Sequence, residues 1–94
     1  MQLKWLRTAL RNLDDEATYI AQDDVAAARL VVQRVLGAVA TLAEQPGLGR
    51  PGRVAGTREL VIEKTRYIVP YRVRGQTVVI LCVFHTSQRL PGRW

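Results

Sequence analysis

A chain of 94 residues and 10.6 kDa has the size of a single domain with one core, which excludes a multidomain assembly. Apolar residue types make up 48% of it and the mean hydropathy is −0.03, so the chain has enough to bury and is expected to fold rather than stay disordered. Fourteen Lys and Arg against eight Asp and Glu give a net charge of +6, and a small basic domain points to an anionic partner: nucleic acid, a membrane surface or an acidic protein.

Gln2 to Trp5 alternates polar with apolar residues and predicts a short first strand. Thr8 offers an N-cap, and Leu10, Leu13, Ala17 and Ile20 recur at helical steps, which predicts an amphipathic helix of about four turns. Its acidic cluster Asp14-Asp15-Glu16 falls on or beside the polar face. Asp23 and Asp24 are caps for a second helix from Val25 to about Gln45, striped by Ala28, Val32, Val35, Val39 and Leu42. Two helices with so short a turn form an antiparallel hairpin.

Pro46-Gly47 ends that helix, because proline lacks a donor and glycine accepts the left-handed conformation. Residues 46–56 then read as a basic loop with four of the seven glycines, without the Gly-Lys-Ser/Thr ending of a phosphate-cradling loop. The remainder predicts a three-stranded antiparallel meander: Thr57 to Glu63, Arg66 to Val73 and Thr77 to Phe84. In the second of these strands Tyr67, Val69, Tyr71 and Val73 take one face, and Arg66, Ile68, Pro70, Arg72 and Arg74 the other. Pro70 cannot donate to a sheet ladder, so a bulge or an unpaired position is expected there. The third strand is apolar on both faces and is expected to be central and helix-covered. The fold class is therefore α+β: a short N-terminal strand, an antiparallel helical hairpin, then the meander, all in one domain spanning residues 1–94.

Charge is unevenly placed along this order. Residues 1–45 carry five cations and six acids, net −1, whereas residues 46–94 carry nine cations and two acids, net +7. Eight of those nine cations are arginine, whose planar fork suits bidentate recognition better than the lysine point charge. The single cysteine, Cys82, sits in an apolar run and reads as a buried inert thiol; one cysteine excludes an internal disulfide or a multi-thiolate metal site. Met1 to Leu10 lacks the apolar core of a signal peptide, and no apolar run approaches the roughly 20 residues that span a bilayer, so a cytoplasmic protein without membrane contact is expected. No metal or other cofactor is expected.

The hairpin, the loop Gln45-Pro46-Gly47-Leu48-Gly49-Arg50-Pro51, the strand Gly56-Thr57-Arg58-Glu59-Leu60-Val61, the segment Tyr71-Arg72-Val73, the run Ile80-Leu81-Cys82-Val83 and the following His85 together resemble the RelE/ParE superfamily of type II toxins. The resemblance covers almost the whole chain. It implies a toxin encoded beside a ParD-like or RelB-like antitoxin that wraps and silences it, and a target that divides the superfamily. RelE-like members cut mRNA on the ribosome, while ParE-like members inhibit DNA gyrase and carry no nuclease site.

Metal-free RNA cleavage needs an acid, a base and cations at short range around one phosphate. A RelE-like reading would use Arg66, Arg72, His85 and Arg89, but Tyr67 or Ile68 stands where the resemblance would place the strand arginine, and Trp94 replaces a terminal tyrosine. His85 alone has an imidazole suited to acid–base work, and otherwise reads as a strand-end side chain bonded to backbone or solvated. The loop motif resembles ParE more than RelE, so a ParE-like gyrase inhibitor comes first, a ribosome-dependent endoribonuclease second, and an antitoxin-binding domain without toxicity third. Arg50, Arg53, Arg58, Arg66, Arg72, Arg74, His85 and Arg89 are the candidate residues for contacting target or antitoxin; for Arg58 a structural role holding the glycine loop is the other reading. An apolar groove between hairpin and sheet, beside Val32 and Val39, is expected to receive the antitoxin.

Overall fold

In the computed structural model, which describes residues 1–87, six strands and two helices follow one another. They are β1 (Gln2–Trp5), α1 (Arg7–Ala21), α2 (Val25–Ala40), β2 (Arg50–Pro51), β3 (Arg58–Val61), β4 (Tyr67–Arg74), β5 (Thr77–Ile80) and β6 (Phe84–His85). A 3-10 turn over Thr41–Ala43 extends α2. The predicted α+β architecture is thus observed, with an additional two-residue edge strand inside the basic loop.

The helix starts differ from expectation in one case. Asp24 caps α2, its carboxylate accepting the Ala27 N–H at 3.0 Å. Helix α1 begins two residues before the expected Thr8 cap: Leu6 holds the N-cap position because its N–H is already donated to the Ile80 carbonyl of the sheet at 3.0 Å, and no side chain caps this end. Counting its 3-10 turn, Val25–Ala43 is 19 residues with a mean hydropathy of 1.5, long and apolar enough by composition to cross a membrane. That corrects the expectation that no run approaches such a length. The cause is that alanine, valine and leucine occupy its outer side as well as the Ala28, Val35, Val39 and Leu42 side sealed in the core.

The sheet runs in the order β1-β5-β4-β3-β2. Neighbours are antiparallel except β1, which pairs parallel to β5 with Leu3 opposite Val78 and Trp5 opposite Ile80. Strand β4, not the third meander strand, therefore holds the centre. Tyr67, Val69 and Tyr71 of β4, Leu60 of β3 and Val78 and Ile80 of β5 face the helices and close the core with Leu13, Val35, Val39 and Leu42. Gly75, at φ 58°, makes the tight β4–β5 turn, a left-handed position that costs glycine no steric strain.

The expected single third strand is broken in two. Tyr71 pairs with Ile80 but Ile68 with Phe84, so three steps along β4 face four along its neighbour, and the extra residue lies in Leu81-Cys82-Val83. Pro70 explains the break. Its carbonyl accepts the Leu81 N–H at 3.0 Å, so its nitrogen faces the same side and offers that strand no donor. The bulge expected at Pro70 falls on the neighbouring strand, while Pro70 itself stays in register with Glu59 of β3.

Candidate functional site

The face of the sheet turned away from the helices is built by strand alternation. Positions 72 and 74 of β4, 77 and 79 of β5 and 2 and 4 of β1 share it, and the register aligns Lys4 with Val79 and Val79 with Arg72 in one row across three strands. The next row is Gln2, Thr77 and Arg74. Lys4, Arg72 and Arg74, with Thr8 and the apolar floor of Leu6, Val79 and Leu81, enclose an open cavity of about 490 Å³ that no carboxylate of the described residues lines. Arg72 is half-buried, and its Nε has no hydrogen-bond partner among the described residues. The uncapped end of α1 opens beside this cavity through Leu6 and Thr8, and its first turn holds no acidic residue.

On the far side of β4 the same face turns acidic at one point and neutralises itself. Glu59 is only 3% exposed, and a buried carboxylate has to be paired. It accepts Arg50 Nη2 at 3.2 Å and the Arg53 backbone N–H at 3.0 Å, with Arg53 Nε at 3.8 Å. Arg50 remains 52% exposed, so it keeps most of its surface while closing the pair. Arg58, one residue from Glu59, projects to the opposite face and holds the glycine loop, donating to the Gly49 carbonyl at 2.7 Å and to that of Gly47 at 3.4 Å. The loop is fixed from below as well: Tyr71 Oη accepts the Gly49 N–H at 2.8 Å and donates to the Pro46 carbonyl at 2.7 Å. A side chain at position 49 would collide with the Tyr71 ring and the Glu59 carbonyl, at 2.7 and 2.9 Å, so only glycine fits there.

His85 lies at the other end of β4. Its ring stands edge-on to Tyr67, centroids 5.3 Å apart, and its Nδ1 accepts the Ser87 N–H at 3.1 Å with the Ser87 hydroxyl at 2.7 Å. Burial pushes the Tyr67 phenol above its ordinary value, with the Glu16 carboxylate and Tyr19 adding to the shift, so Tyr67 stays neutral and cannot serve as a base near neutral pH. Arg66 sits in the bend before β4, its carbonyl accepting the Thr86 N–H at 2.8 Å. Arg72 is five residues along the strand from Tyr67, about 16 Å at the usual rise, and on the opposite face. Of the RelE-like residues that are described, Arg66 and His85 thus share one end of β4, while Arg72 lies toward the other end and on the opposite face. Arg89 lies outside the described residues. Among the described residues, no group of His, Cys, Asp and Glu forms a metal site.

Grooves flank the helices on both sides of α2. One, of about 420 Å³, lies between α1 and α2 and is lined by Ala17, Ala21, Val25, Ala28 and Val32. A second, of about 400 Å³, lies between α2 and β3 beside Ala38, Leu60 and Val61. The groove expected beside Val32 and Val39 is therefore divided: Val32 belongs to the interhelical groove, and Val39, 1% exposed, is sealed in the core.

Sequence reasoning grouped Arg66 with Arg72 and Arg74 by face but missed Lys4 and Thr8. Alternation reports the face of one strand, and only the parallel β1–β5 register brings Lys4 alongside Arg72. The signal for Glu59 was present: an acid between Arg58 and the apolar run Leu60-Val61-Ile62, after a loop that carries Arg50 and Arg53.

Known proteins share this sequence and this arrangement. The family described as "ParE toxin of type II toxin-antitoxin system, parDE" matches residues 3–90. A relative named as a toxin, Y4kP of Sinorhizobium fredii, is 48% identical over 90 residues, covering 96% of this chain and 93% of its own. A solved structure described as the chromosomal ParDE TA system from P. aeruginosa is similar with a TM-score of 0.80 and 33% identity, over 90% of this chain and 95% of that one.

Proposed function

This chain belongs to the ParE toxin family of type II toxin-antitoxin systems, and from that premise we propose that it inhibits DNA gyrase through a protein–protein contact and stabilises cleaved DNA. A cognate ParD-like antitoxin neutralises it in the cytoplasm, laying an amphipathic helix in the apolar interhelical groove lined by Ala21, Val25 and Val32.

The observation that carries the choice of target is the separation of His85 from the half-buried Arg72. A nuclease has to bring its proton-transfer group and its phosphate-binding cation to within hydrogen-bond reach of one phosphate. His85 faces Tyr67, while Arg72 lies about 16 Å along β4 on the other side of the sheet. Each is built into a different surface, which favours a toxin that acts by contact.

A gyrase supercoiling reaction with the purified toxin tests this reading. Linear DNA accumulating with toxin concentration is the expected result, and His85→Ala is expected to leave that activity largely intact. Cleavage of mRNA in the A site of programmed ribosomes, abolished by His85→Ala, would overturn it in favour of a RelE-like nuclease.

A further inference from the structure

We propose that the open face of the sheet is a binding site for the phosphodiester backbone of a DNA duplex, centred on Lys4, Arg72 and Arg74. The proposal rests on the gyrase reading only for the source of the DNA; the site itself is argued from the sheet.

Among the described residues, three cations meet around one cavity of about 490 Å³ without a carboxylate in its lining. Lys4 and Arg72 flank Val79 in a row across three strands, two strand spacings or about 10 Å, and Arg74 lies two residues further along β4, about 7 Å. Unneutralised cations held this close repel one another, and the arrangement gains most from an anion between them. The donors around the cavity are those that recognise phosphate: two guanidinium forks, an ammonium, the Thr8 hydroxyl and the uncapped end of α1, whose dipole favours negative charge. Arg72 Nε is the strongest sign of a missing partner, because a buried guanidinium N–H without an acceptor costs free energy that an incoming oxyanion recovers.

The extent of the charge separates a polyanion from a single acidic side chain. Beyond β4 the same face carries Arg50 and Arg53 at the β2 edge, and its one buried acid, Glu59, is already paired to them. Cations therefore run from β1 to β2 across five strands, about 19 Å at the usual strand spacing. A track of that length suits consecutive backbone phosphates, whereas one carboxylate would fill the central cavity and leave the rest unused.

Fluorescence anisotropy of a labelled duplex of about 20 base pairs against the full-length toxin, titrated with salt, tests the site. Each phosphate neutralised adds about 0.9 to the slope of log affinity against log salt, so Arg72→Ala/Arg74→Ala is expected to lower that slope by about 1.8. Arg74→Glu alone, at an exposed side chain, is expected to weaken binding while leaving the circular dichroism spectrum unchanged. Lys64→Gly, which removes a charge at the distant β3–β4 turn where φ is 62°, is expected to change neither. The wild-type toxin should bind the duplex more tightly than a polyglutamate of matched charge. Equal or tighter binding of the polyglutamate, or duplex affinity unmoved by Arg74→Glu, overturns the proposal. Gyrase inhibition by a toxin that binds no duplex would remove this site alone, whereas duplex binding without gyrase inhibition would remove the gyrase reading and leave the site.

Discussion

The outer side of the helical hairpin exposes Leu10, Tyr19, Leu30 and Leu36, whereas the open face of the sheet exposes Lys4, Arg74 and Arg50 around a half-buried Arg72. Both surfaces rest on the same core, which α1 and α2 cover from one side only. An apolar surface rewards a partner that buries area against it and responds little to salt; a cationic surface attracts from further away and weakens as salt rises. A small toxin with one of each can engage two partners of different chemistry without enlarging its core. The uneven charge of the sequence is the one-dimensional trace of this division, with the near-neutral half forming the hairpin and the +7 half supplying most of the open face.

Five substitutions probe how far the two surfaces depend on each other, in order of falling effect. Leu42→Ala empties a fully buried position under both surfaces and should lower stability by about 2–5 kcal/mol, read as a denaturant midpoint, with both binding activities failing together. Tyr71→Phe keeps the ring but leaves the buried Gly49 N–H without its acceptor, which should cost about 1–3 kcal/mol and speed proteolytic cleavage within residues 46–56. Glu59→Gln should cost about 1 kcal/mol, because its arginine partners are half-exposed, and should strengthen retention on an anionic matrix by releasing Arg50 and Arg53.

A smaller effect belongs to pH. Tyr67 has its folded-state value raised above 10.0, so its contribution to stability is complete below pH 10.0 and is lost as pH rises above it. Urea midpoints of the wild type should therefore fall more steeply above that pH than those of Tyr67→Phe. Smallest in stability is Val25→Glu, at an exposed position lining the interhelical groove, expected within about 0.5 kcal/mol of wild type. Its antitoxin affinity, measured by calorimetry, should fall while duplex affinity stays within a factor of about two.

The helices were legible because their apolar residues repeat at the helical period over more than three turns, and Asp24 marks a start by a local hydrogen bond. The break after Ile80 was not. Val78 to Phe84 is apolar throughout, so it carries no period, and the interruption originates in the missing donor of Pro70 on another strand. The start of α1 was misplaced for a related reason: Leu6 is fixed by a sheet carbonyl, which outranks the local preference for Thr8. At the candidate site the arginines of β4 followed from alternation alone. Lys4 joined them through pairing between distant segments, and Tyr71 became a loop anchor through a hydroxyl whose partners lie 22 and 25 residues away.

The parallel pairing of β1 with β5 also sets an order of events during synthesis. Gln2 waits for Thr77, 75 residues later, and at about 5–20 residues per second that is roughly 4–15 s of translation. Over that interval the hairpin and the β3–β4 pair have local partners, while Lys4 has no neighbour at Arg72 and the first strand has no place in the sheet. The cationic face is thus among the last features to come into being. A cell translating this chain has a window in which the apolar hairpin is already formed before the charged face exists.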